Sequence, residues 1–177
     1  MATAAPVSVK GFNCTANRTH PCQVYALYRA GFTGVPLDLA AIGDLFAVSR
    51  FMVEHANNLS TTAAPANGQP LLVPLQCGCP SWSSSSYTLM QYQIGLGDTY
   101  WIVSTTKLQN LTQYQVVERV NPTLVPTVLD VGTKVTFPVF CQCPAAADNA
   151  TTLVTYVMQL EDTYVSVAAA FSVAYPQ

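Results

Sequence analysis

Between Leu89 and Ile94 the apolar residues Met90, Tyr92 and Ile94 alternate with Gln91 and Gln93. This period of two predicts a half-buried strand. Gly95-Leu96-Gly97 then reads as a turn, with Asp98 placed as the N-cap of a short helix over 99–108. Next come Thr112 and, three residues on, Gln115, the spacing of a capping box, flanked by Leu111 and Val116 as a hydrophobic staple. This second helix is predicted to stop at Asn121-Pro122, because the residue before proline disfavours the helical region. After a loop, the β-branched and aromatic run from Lys134 to Phe140 predicts a closing strand. The pattern is strand, helix, helix, strand.

The pattern repeats. A shift of 64 positions superposes Tyr92, Leu96, Asp98, Thr99, Tyr100 and Val103 on identical residues Tyr156, Leu160, Asp162, Thr163, Tyr164 and Val167. The same shift places Val53, Glu54, Asn57 and Pro74 on Val117, Glu118, Asn121 and Pro138. A first unit follows from this: a strand over 22–28, a helix capped by Asp38, a second opened by Ser49, and a strand over 70–75. The third unit starts at Tyr156 and stops at Gln177, before any second helix or closing strand. The expected division is an N-terminal segment 1–21, unit one 22–76, a linker 77–86, unit two 87–140, a linker 141–150 and an incomplete unit three 151–177. The fold class is α+β, as tandem βααβ units.

Composition changes this picture in two ways. Charged residues are only 9% of the chain and net charge is −2, too few basic groups for a nucleic-acid footprint. No run approaches the 18 apolar residues of a membrane span, and the start lacks the charged and apolar regions of a signal peptide. Secretion is nevertheless indicated by five N-x-[ST] sequons, at Asn13, Asn17, Asn58, Asn110 and Asn149. The six cysteines form an even set. Cys77 and Cys79, like Cys141 and Cys143 one repeat later, lie two apart at the ends of closing strands. Residues so spaced share a face and cannot easily bond each other, so each pair must reach elsewhere, with fifteen pairings open from sequence alone. Zinc would suit such thiolates, but the sequons favour oxidised sulfur. Catalysis finds little support: of the nine acids, Asp38 and Asp98 read as caps, Glu54 and Glu118 recur on second helices, Glu161 and Asp162 repeat the turn, and none forms an independent catalytic pair, while His20 and His55 are isolated.

A unit with Tyr92, Gly97-Asp98-Thr99-Tyr100, Asn121-Pro122 and Pro138 in this order is similar to a LysM domain. Three units separated by Cys-x-Cys pairs resemble the ectodomain of a plant LysM receptor-like kinase, and unit two resembles the kinase-inactive Nod-factor receptor type. The resemblance implies disulfides Cys14–Cys79, Cys22–Cys143 and Cys77–Cys141. It implies no catalysis in this part of the protein, no cofactor and no metal, and a place on the extracellular side of the plasma membrane. The implied ligands are N-acetylglucosamine-based microbial signals, chitin fragments or lipo-chitooligosaccharides, with a kinase-active LysM co-receptor as partner. The expected groove of unit two lies between the loops 97–101 and 121–129, with Gly97, Asp98, Thr99, Tyr100 and Trp101 on one side and Asn121, Pro122, Thr123, Leu124 and Val125 foremost on the other. Leu124 and Val131 match positions implicated in handling an acyl chain. Tyr100 and Trp101 are adjacent on a helix, so one is expected in the core and one outside.

Overall fold

The computed structural model describes residues 11–32, 34, 36–60, 62 and 64–175; the amino-terminal stretch read above for a leader lies outside them, as do the last two residues. In unit one, strand β2 (Cys22–Arg29) pairs antiparallel with β3 (Pro70–Cys77), from Cys22 opposite Cys77 to Arg29 opposite Pro70. Their alternating Val24, Ala26, Tyr28, Leu71, Val73 and Leu75 face inward and are buried. Helices α1 (Leu39–Phe46) and α2 (Arg50–Asn57) cover that face with Leu39, Ile42, Phe46 and Val53. Asp38 and Ser49 cap these helices as predicted, accepting from the N–H groups of Ala41 and Met52.

Unit two repeats the plan. Strand β4 (Ser85–Gln93) lies between the short edge strand β1 (Phe12–Asn13) and β5 (Lys134–Phe140). Met90, Val135, Phe137 and Val139 supply the inner face. Above them lie α3 (Tyr100–Ile102), which continues as a π-turn over Val103–Lys107, and α4 (Tyr114–Val120). Two expected caps are corrected. Thr99, not Asp98, caps α3, its hydroxyl accepting from Ile102 N–H at 3.0 Å. The capping box fails because Thr112 is drawn fully into the core beside Leu111; α4 starts after Gln113, with no side-chain cap bond.

The repeat is written in hydrogen bonds as well as residues. Asn57 Nδ2 donates to Val53 O and Leu72 O while Oδ1 accepts from Leu72 N–H, at 2.7–2.8 Å. Asn121, 64 positions on, makes the same three bonds to Val117 O, Thr136 O and Thr136 N–H. Each asparagine ties the end of the second helix to the closing strand.

The units form one hydrophobic core. Gln109, in a left-handed conformation, bonds both the N–H and C=O of Arg29 at 2.9 and 2.7 Å, so unit two seals the end of a unit-one strand. Three disulfides join Cys14 to Cys79, Cys22 to Cys143 and Cys77 to Cys141, with Cα separations of 5.9–6.1 Å. This is the pairing the resemblance implied. Unit three differs from expectation. Its strand β6 (Val154–Thr155) precedes Tyr156 and runs parallel to β2, setting Val154 beside Tyr25 and Thr155 beside Ala26, where the edge of β2 opposite β3 offers it a backbone ladder. Helix α5 (Tyr164–Ala170) follows, with a capping box between Thr163 and Ser166 and no buried residue. The Arg29 guanidinium stands 4.9 Å from the centre of the Tyr156 ring, linking units one and three. Among the described residues no helix is long and apolar enough to cross a membrane.

Candidate functional site

The loop leaving β4 turns on Gly97, whose φ of +80° suits glycine. It brings Asp98 back beneath the turn. The Asp98 carboxylate accepts from Gly95 N–H at 2.8 Å and from the Tyr92 hydroxyl at 2.7 Å, and pairs with Lys107 Nζ at 2.8 Å. Lys107 also donates to Tyr92 Oη. Burial opposes ionisation of Asp98, but hydrogen bonds from Lys107, Tyr92 and Gly95 outweigh it and hold the carboxyl below its ordinary value. The Lys107 ammonium is likewise disfavoured by burial, yet Asp98 and Tyr92 hold its pKa above the usual lysine value. Asp98 is therefore a latch for the loop. The same latch recurs without the lysine in unit three, where Asp162 accepts from Tyr156 and Gln159, and Phe171 stands at the position matching Lys107.

This latched loop forms one wall of a cleft of about 460 Å³ lined by Asp98, Thr99, Tyr100, Trp101, Tyr114, Glu118, Pro126, Thr127 and Leu129. Trp101 is the outward residue of its pair, 58% exposed, and Tyr100 the inward one at 2%. The Tyr100 ring meets Phe137 edge-on, but its hydroxyl is buried with no hydrogen-bond partner among the described residues. Burial and then the Glu118 carboxylate push the Tyr100 phenol pKa up, so it stays a donor. A cleft with aromatic and apolar walls, one unsatisfied donor and a carboxylate acceptor suits a neutral, hydroxyl- and amide-rich ligand.

Of the expected groove residues, the structure brings Asp98, Thr99, Tyr100 and Trp101 together in this cleft. Gly97 shapes the turn beside it. Asn121, Pro122, Thr123, Leu124, Val125 and Val131 are not among its lining residues: the opposing wall lies further along the loop, at Pro126, Thr127 and Leu129. The Asn121 amide is engaged within the unit as described above. Leu124 packs against the core, whereas Val125, Val128 and Val131 project to solvent, Val131 at 66% exposure. Tyr114 and Glu118 escaped the sequence reading; their i, i+4 spacing, which sets both on one face of α4, was the available signal. A wider cleft, about 720 Å³, opens between units one and two beside Phe32, Leu37, Gln91 and Lys107. It lacks the paired loops that the repeat builds. Zinc finds no thiolate: the grouping of Cys14, His20 and Cys79 contains a disulfide.

Comparison with known proteins bears on the domains and the fold. Residues 85–140 match the family profile described as the NFP LysM2 domain, and residues 21–80 the NFP/LYK LysM1 domain. The chain is 26% identical over 165 residues to LysM domain-containing GPI-anchored protein 2 of Arabidopsis thaliana, covering 90% of this chain but 46% of that protein. It thus spans about half the length of that relative. The fold is shared with the crystal structure of the ectodomain of a receptor-like kinase (TM-score 0.73, 21% identity, covering 89% of this chain and 81% of that one). The LYK3 ectodomain is similarly close in fold (TM-score 0.72, 19% identity, 94% and 79% covered). With two matched LysM domains that together span most of its length, the chain belongs to the NFP/LYK family of plant LysM proteins, a non-catalytic, ligand-binding module, and shares its fold with LysM receptor-kinase ectodomains.

Proposed function

We propose that this chain is the extracellular part of a cell-surface receptor that binds N-acetylglucosamine oligomers in the cleft of unit two. Chitin-like carbohydrate is the ligand class the LysM architecture implies. The observation that carries the assignment to this cleft is Tyr100: its side chain is in the cleft wall, and its buried hydroxyl, without a partner among the described residues, is a donor that an acceptor pressed into that wall would satisfy. An N-acetyl group offers that acceptor, and its methyl suits Pro126 and Leu129. The exposed aromatic face of Trp101 offers a pyranose ring its apolar side.

The preferred ligand on this reading is acylated, a lipo-chitooligosaccharide. Val125, Val128 and Val131 stand exposed on the loop that also supplies the second wall, giving an acyl chain an apolar track leading away from the sugar. Signalling then falls to a kinase-active LysM co-receptor, with the rest of the protein crossing or anchored to the plasma membrane. Binding kinetics of the glycosylated chain with chitin oligomers, with and without an acyl chain, test the preference. Val128→Asp with Val131→Asp is expected to weaken the acylated ligand about tenfold, each lost methylene contact being worth roughly 0.8 kcal/mol, and to leave the plain oligomer unchanged. Equal affinity for the two ligands in the unmutated chain sinks the acyl preference and leaves an unmodified chitin-oligomer receptor. Leu124→Asp is unsuitable here, since it would place a charge against the core.

A further inference from the structure

On the far side of unit two, a second cleft of about 700 Å³ has Trp82, Tyr87, Val116 and Arg119 in its walls, together with Ser83 to Ser85 of the first linker. Asn13 lines it too, and Asn13 is the acceptor of the sequon Asn13-Cys14-Thr15. We propose that this cleft is the seat of the chain's own glycan on Asn13, which folds back so that its first N-acetylglucosamine covers Trp82. The proposal rests on the secretory reading above, because only a chain in that pathway is glycosylated.

Three observations converge on this occupant. The point of attachment is fixed: Asn13 is paired with Ser85 in β1–β4, Cys14 N–H bonds Ser84 O at 2.8 Å, and Cys14 is held by its disulfide to Cys79. A sugar on an exposed side chain so anchored starts at the cleft wall and loses little freedom on docking. The surface has the right chemistry. Trp82 lies stacked on Tyr87, with ring centres 6.3 Å apart and planes within 14°, and remains 55% exposed. A pyranose sets its C–H face on such a ring, while serine hydroxyls and a guanidinium beside it serve the sugar hydroxyls and the acetamido carbonyl. Arg119 is free for this, as it forms no salt bridge among the described residues. Size is also suitable, since small-ligand clefts run to about 300–1,000 Å³. By contrast Asn17 borders a cleft of about 300 Å³ with no aromatic wall.

The same chemistry would accept a free N-acetylglucosamine oligomer, so the test must separate tethered from dissolved sugar. Trp82 and Trp101 are the only tryptophans, so Trp101→Phe isolates Trp82 as a fluorophore. In this background, secreted from a eukaryotic host, peptide mapping by mass spectrometry is expected to find Asn13 glycosylated. Acrylamide quenching of Trp82 should then rise about twofold when Asn13→Gln removes the glycan, because one ring face is uncovered. Thr15→Ala, which abolishes the sequon and keeps Asn13, should reproduce the rise. An unmodified Asn13 overturns the proposal, as does quenching that ignores the glycan. Adding chitobiose to the Asn13→Gln protein should leave quenching unchanged; renewed protection at micromolar sugar would make the cleft a site for external ligand instead. Chitin-oligomer binding to unit two, measured on chains that retain Trp101, reports separately on the receptor reading.

Discussion

At the scale of single residues, two polar side chains, Asn121 and Asp98, fasten unit two, while Asn57 alone repeats in unit one and Asp162 alone in unit three. Asn121 satisfies one backbone donor and two acceptors that would otherwise be left at a helix end and strand. Asn121→Ala is expected to cost about 2 kcal/mol, and Asn57→Ala a similar amount, in denaturant unfolding. Asp98 gives a pH signature. Its folded carboxyl sits below the ordinary 3.8, so the stabilisation it provides is complete above that value and drains away as pH falls through the lower, folded one. Thermal stability should therefore be flat from neutral pH down to about 5 and decline below about 4, and Asp98→Asn should flatten that decline. Asp98 was legible in sequence as a repeated turn residue but was read as a cap. Thr99 and Asp98 are adjacent and both cap helices well, and only the Tyr92 and Lys107 contacts, six and nine residues away, decide which side chain turns inward.

At the scale of elements, the order of strands and helices followed from the apolar period. By contrast, β4 begins at Ser85, four residues before its alternating stretch, because Ser85 to Thr88 are buried on both faces, and the first helix of unit two turns from α to π after Ile102. The closing strand Lys134–Phe140 and the stop at Asn121-Pro122 lie where the pattern puts them. The start of α4 does not, because burial of Thr112 outweighed a cap worth about 1 kcal/mol. For α3 the cap is present, and Thr99→Ala should lower unfolding free energy by about 1 kcal/mol while loosening the cleft wall that begins there. The Cys-x-Cys pairs end β3 and β5 in the same way in both units. That symmetry lets Cys77 and Cys141, one repeat apart, bond each other, while Cys79 reaches Cys14 in the N-terminal segment and Cys143 reaches Cys22 at the start of β2. Replacing Cys77 and Cys141 together by alanine is expected to cost roughly 2–5 kcal/mol, read as a lower midpoint in guanidinium.

At the scale of the whole molecule, tandem repeats locate the units but not their mutual packing. Gln109 on the end of β2, and β6 alongside that strand, depend on pairings far apart in sequence and without periodic signature. The candidate cleft was half legible for the same reason. Its first wall follows a short, repeated loop, whereas the second depends on where a long loop folds back, so the expected span 121–129 lines it only through Pro126, Thr127 and Leu129. The account stands most directly on the unpartnered Tyr100 hydroxyl. Calorimetric titration of a chitin oligomer into the native chain and into Tyr100→Phe tests it, with thermal unfolding run in parallel. Removing a hydroxyl that has no partner among the described residues should leave the unfolding temperature unchanged or slightly higher, while affinity falls about tenfold, the loss of one net hydrogen bond. Equal affinity of the two proteins for the oligomer would contradict the assignment of this cleft.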